Sequence, residues 1–205
     1  MVLYVAVGDI MQYLTVGTNK IVDELFKKVQ DTGTANLKPC GGLWLTKYMG
    51  DNYNEWVEFI IDEPTTFFYK SRNYSMWEQP CSLVTLREDA KILNLDSKSK
   101  LDYLREKYPL DEYKFSYEII SKLYDGIFID MYHLLYDISD SEIRQRIFKF
   151  GVNSLLLFNL GCIDYYQPGI VSIEPFNYEY GMCELPNYKI NIEPVKRKIL
   201  SKKHN

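Results

Sequence analysis

The longest apolar run in this chain, within "NSLLLFNLGCIDYY", is about the length of one buried strand and no more. Nothing approaches the roughly 18 apolar residues that a membrane-crossing helix needs, so a core has to be assembled from short strands and amphipathic helices. "LYVAVG" (Leu3–Gly8) is a further buried-strand pattern, ended by glycine. The segment around it, "MVLYVAVGDIMQYL", has neither a basic leader nor a small-residue cleavage site and reads as a strand rather than a signal peptide.

The same alternation continues along the chain. "NKIVDELFKKVQDTG" sets Ile21, Val22, Leu25, Phe26 and Val29 at helical spacing, and Gly33 supplies a stop. "GGLWLTKY", "TTFFYK", "SLVTLRED", "KILNLDS" and "IFID" read as strands, with a loop holding Trp77 and Pro80 between the second and third. Helices are expected in "NYNEWVEFIIDEP" on Trp56, Phe59 and Ile60, and in "SKSKLDYLREKYPL" on Leu101, Leu104 and Tyr108. Two more follow, one over Ile119, Ile120 and Leu123 as far as Tyr124, and one in "SEIRQRIFKFG" capped by Ser139 or Asp140. Strands interspersed with helices without strict β-α-β alternation give an α+β class. One domain over residues 1–165 is the expected organisation. Residues 166–205 follow as an irregular, proline-containing wrap with a basic, solvated tail, "KRKILSKKHN".

A net charge of −4 on 205 residues argues against a large basic face for nucleic acid. The four cysteines are scattered without a Cys-x-x-Cys pair and there are only two histidines, so no metal site is expected. Free thiols in a reducing, intracellular compartment are the expectation. Eighteen Tyr and ten Phe are read as filling cores and half-buried surfaces.

Phosphate-loop, dinucleotide-fingerprint, zincin and nucleophile-elbow motifs are all missing. His133, among the apolar residues of "DMYHLLYD", reads as a structural histidine, and Cys40 lacks a local group to activate it. "DISDSE" gathers Asp137, Asp140 and Glu142 but reads as a capping turn rather than a calcium loop, and Glu55 and Glu58 are assigned to solvent. Three strands are punctuated by glycine, at Gly8, at Gly41-Gly42 and at Gly126. Such glycines mark a sharp turn or a close approach to the backbone. Strand alternation puts Leu43 and Leu45 on one face, Trp44 and Thr46 on the other. An aromatic platform beside a hydroxyl suits a flat heterocycle; packing against a helix fits the pattern equally.

The order "GGLWLT", "SLVTL", "KILNLD", "YDGIFID", "SLLLFNLGCI", after an opening strand with Tyr and Gly, is similar to ADP-ribosyltransferase-like proteins. It resembles in particular the polyvalent-type domains of phages and large DNA viruses. These run Tyr-His-Gly-Thr, Gly-x-Trp/Tyr-Phe-Thr/Ser, Tyr-Asp-Gly-Ile and then a strand like Glu-x-Val-x-Phe. The resemblance covers residues 3–165 and implies a bent, split β-sheet core with flanking helices and NAD in the cleft. It implies transfer of ADP-ribose from NAD to a protein or nucleic-acid acceptor, and residues rich in Lys, Ile, Asn and Tyr fit a viral origin and a host cytoplasm. On the family pattern Trp44 and Thr46 fix the nicotinamide, with Gly42 beside them, and Tyr4 and Gly8 line the ribose-phosphate side. Asp130 or Ser154 would assist at the ribose as the catalytic pair, because the late-strand Glu is Ser154 here and the first-strand Arg or His is Val5 or Ala6. Three readings stay open: an NAD-dependent transferase with an atypical site, an inactive binding module of that fold, and a structural protein with no small-molecule site.

Overall fold

Leu155, Leu156 and Leu157 are fully buried in succession, which requires a strand covered on both faces. They form β6 (Ser154–Leu157), within an eight-stranded sheet. A computed structural model describes residues 12–32, 37–50, 53–62, 77–174 and 187–199. The expected strands at Leu3–Gly8 and in "TTFFYK" lie outside these residues, as do Tyr4 and Gly8.

The other strands are β1 (Gln12–Val16), β2 (Leu43–Lys47), β3 (Trp77–Leu86), β4 (Ile92–Leu95), β5 (Gly126–Ile129), β7 (Ile163–Ile173) and β8 (Tyr188–Ile192). Their order is β4-β5-β6-β2-β1-β3-β7-β8. Among the described strands only β4 and β5 pair in parallel. Their crossover carries α2 (Lys98–Lys107) and α3 (Tyr117–Ile120), as a parallel neighbour demands. The remaining described helices are α1 (Glu55–Asp62), α4 (Met131–Asp137) and α5 (Ser141–Phe148). The result is a single mixed domain of one large sheet and a few helices, compatible with the α+β class, and no described helix is long and apolar enough to cross a membrane.

The sheet has a weak joint. β1 pairs with β3 at all five of its residues. β2 pairs with β6 at Leu43, Trp44 and Leu45. Between themselves, β1 and β2 pair only at Tyr13–Lys47 and Leu14–Thr46. Past Leu14 the two strands part, dividing the sheet into a half of β4, β5, β6 and β2 and a half of β1, β3, β7 and β8.

Packing follows this division on only one of the two faces. On one face Leu156, Ile127 and Ile129 meet the buried residues of α2 to α5, including Leu101, Ile120, Leu134 and Ile147. Leu14, Cys81 and Val171 meet Val57, Ile60 and Ile61 of α1. The opposite face, with Leu45, Leu155, Leu157 and Tyr166, is covered by Ile21 and Phe26.

The described residues of the helix expected over 19–33, up to Thr32, form a turn at Asp23–Leu25 and an isolated bridge from Gln30 to Cys40 instead. Their apolar side chains serve different places: Ile21 and Phe26 cover one sheet face, Val29 joins the helical cluster of the other, and Leu25 is 63% exposed. The irregular wrap expected from Gln167 is also corrected. β7 continues through Pro168, and β3 runs through Trp77 and Pro80, where a loop was expected. Each proline still contributes its carbonyl, Pro80 accepting from the Gly17 N–H at 2.7 Å and Pro168 from the Glu193 N–H at 2.8 Å. The sheet therefore runs across the expected boundary at residue 165.

Candidate ligand-binding site

The paired glycines before β2 are required by the protein's own backbone. Gly41 and Gly42 have φ of 76° and 70°, in the left-handed region where a side chain is strained. A Cβ on Gly41 would strike the Lys28 carbonyl oxygen, and one on Gly42 would meet the Leu156 side chain and, at 2.9 Å, the Leu157 carbonyl oxygen. The N–H of Gly42 donates to the Lys27 carbonyl at 2.8 Å. Tight apposition to residues 27–28 and to β6 thus fixes where β2 begins and which way Trp44 faces.

Trp44 stands where the sheet halves part. Its indole packs partly buried against the α2–α5 cluster, with the Phe150 ring 6.0 Å away. Across the seam Trp56 of α1 belongs to the other cluster, together with Val16. The ammonium of Lys38 spans the two, 4.6 Å from the Trp44 ring centre and 5.8 Å from that of Trp56. Desolvation by burial holds the Lys38 pKa below the ordinary lysine range. Among the described residues no carboxylate forms an ion pair with it.

Other polar groups expected at a site are engaged within the protein. Thr46 is 4% exposed, and its hydroxyl accepts from Asn54 Nδ2 at 2.9 Å. Asn54 Oδ1 in turn accepts the N–H groups of Trp56 and Val57, capping α1. One step along the β2–β6 register Thr46 comes opposite Ser154, which is also buried and whose hydroxyl donates to the Val152 carbonyl at 2.9 Å. Asp130 caps α4 through the His133 N–H and lies 2.8 Å from His133 Nδ1. His133 itself is 75% exposed, so its expected place among apolar residues is corrected: the helix turns it to solvent.

Glu55, expected in solvent, is half-buried. Burial is the main cause that raises its carboxyl pKa, and the nearby Asp130 charge adds to it. The N–H of Asn153 donates to Glu55 Oε2 at 3.1 Å, which opposes the rise. A carboxylate from α1 therefore reaches the residue just before Ser154, at the start of β6. Phe59, one turn further along α1, approaches Gly151, where a Cβ would lie 3.0 Å from its ring. Glu55 and Phe59 thus tie α1 to the chain entering β6, across the seam.

Of the residues marked from sequence, Trp44, Thr46 and Ser154 come together on adjacent strands β2 and β6, Gly42 immediately precedes β2, and Asp130 follows the neighbouring β5. Lys38 was not marked from the sequence and Glu55 was assigned to solvent, since folding alone brings them to the seam. β1 ends at Val16 and leads into Gly17 and Thr18. This strand adjoins β2 directly, and Gly17 has a φ of 101°.

Chemically the seam holds a partly buried indole, an ammonium that no described carboxylate pairs with, and one half-buried carboxylate. The described residues contain no group of three or more His, Cys, Asp or Glu placed to hold a metal. Buried Cys81 and Cys162 have thiol pKa values pushed up to about 12 by desolvation, which suits packing rather than nucleophilic attack. Comparison with models of protein families, with curated proteins and with solved structures returned no match.

Proposed function

We propose that this chain is an ADP-ribosyltransferase-like binding module that takes a dinucleotide of the NAD type in the seam at Trp44 and does not transfer ADP-ribose. The observation that carries this reading is the Trp44 indole standing where β1 and β2 part, with the Lys38 ammonium 4.6 Å from its ring centre. A flat base gains a stacking surface there and a phosphate gains a cation. A sheet divided at its first two strands is in keeping with the bent, split core that the resemblance implies.

The loss of transfer follows from electrostatics. Cleaving the bond to nicotinamide builds positive charge on the ribose, which preorganised negative groups must stabilise. Val5 or Ala6 and Ser154 occupy positions where the resemblance expects charged side chains, and the Thr46 and Ser154 hydroxyls are bound within the protein. Glu55 favours a second reading, an active transferase with a relocated carboxylate, because it reaches the beginning of β6 from α1.

Isothermal titration with NAD and with ADP-ribose, alongside a nicotinamide-release assay, tests both readings. The binding module predicts heat with at least one ligand, its loss in Trp44→Ala, and no nicotinamide release. Release that Glu55→Gln abolishes would establish the second reading. No heat from either ligand at millimolar concentration would reject dinucleotide binding altogether, leaving a structural role.

A further inference from the structure

Lys38 is placed to do more than hold an anion. Its ammonium lies over the same indole on which a ligand ring would stack, and the Trp56 ring centre is 5.8 Å from it. Both rings present the negative face that attracts a cation. A second cation entering the seam therefore meets Lys38 at contact range, in surroundings drier than bulk water, where like charges repel strongly.

NAD carries such a cation in its oxidised nicotinamide ring. ADP-ribose lacks the ring, and NADH carries it uncharged in nearly the same shape. We propose that Lys38 is a specificity-determining residue that turns the seam against the cationic ring of NAD and toward phosphate-bearing ligands with an uncharged planar group, ADP-ribose and NADH among them. This inference rests on the dinucleotide reading above.

Two features support it besides the ring geometry. Lys38 forms no ion pair with a described carboxylate, so its charge is available to an incoming phosphate. Burial also lowers its pKa, the mark of an ammonium short of hydration, and a bound anion would relieve that shortage.

The test is titration of the full chain with NAD, NADH and ADP-ribose, in the wild type and in Lys38→Met and Lys38→Arg. The wild type should bind NADH and ADP-ribose roughly tenfold more tightly than NAD, the scale of one unit-charge repulsion at a partly screened site. Lys38→Met should abolish the difference between NADH and NAD and weaken ADP-ribose, while Lys38→Arg should preserve the wild-type order. Equal affinity for NAD and NADH in the wild type, or a difference that survives in Lys38→Met, would overturn selection by Lys38 and leave dinucleotide binding intact. Absence of binding by all three ligands at millimolar concentration would instead overturn the dinucleotide reading, and this inference with it.

Discussion

Asn54 concentrates the polar bonding of the region between α1 and β2. It is fully buried, its amide donates to Thr46 Oγ1 and to the Lys47 carbonyl, and its oxygen caps α1. Its backbone N–H donates to the Tyr188 hydroxyl at 2.8 Å, connecting β8 to the same point. Truncation to Ala removes a helix cap and strands a buried threonine hydroxyl, so Asn54→Ala should cost about 2–3 kcal/mol in urea unfolding. Asn54→Asp keeps the cap but not the amide donors and should fall between. Glu55 next door has the opposite sign. Its raised pKa means that folding disfavours the ionised form, a penalty absent below the unfolded-state pKa and complete above the folded one. Glu55→Gln should therefore be the more stable protein at pH 7, by less than about 1 kcal/mol given its solvent exposure, with the gap closing as pH falls through the carboxylate range. Unfolding curves of both proteins at pH 7 and pH 4 measure that closure.

Among the elements, β2 owes its placement to glycine, and two substitutions separate strain from collision. Gly17 and Gly42 both have positive φ, but a Cβ on Gly17 meets nothing within 4 Å. Gly17→Ala should cost about 1 kcal/mol of backbone strain, and Gly42→Ala at least about 2–3 kcal/mol, since the Leu157 carbonyl cannot yield without disturbing β6. Differential scanning of the pair measures the contrast. β2, β4, β5 and β6 were legible in the sequence as short apolar runs bounded by turns, α2 by its apolar face at Leu101 and Leu104, and α5 by its cap at Asp140. The stretch at residues 19–33 was not, because helical spacing says nothing of whether one face exists to bury against. β7 was hidden by Pro168, whose lost N–H is tolerable at that position in the ladder although prolines normally signal a break. For the site, strand alternation sufficed to find Trp44. It could not find Lys38 or Glu55, whose neighbours are set by contacts across the seam rather than along the chain.

On the scale of the whole molecule, the two sheet halves are built from chain in different ways. Residues 87–162 contain β4, β5, β6 and α2 to α5, so one half is nearly continuous and lacks only β2. The other half depends on the ten-position ladder between β3 and β7, whose strands flank that entire stretch. Short-range contacts form before long-range ones when loop closure dominates the barrier. Pulse-labelled hydrogen exchange during refolding should then protect amides of β5 and β6, such as Ile127 and Leu155, before Leu83 and Val171 of β3 and β7. Simultaneous protection of both sets would contradict that order. During synthesis the asymmetry becomes a waiting time. Among the described strands β3 leaves the ribosome with the short β1 to pair with, and its other edge stays open while residues 87–162 are translated, roughly 4–15 seconds at cellular rates. A nascent chain so exposed is a natural client for a ribosome-associated chaperone until Ile163–Ile173 arrives to close the edge.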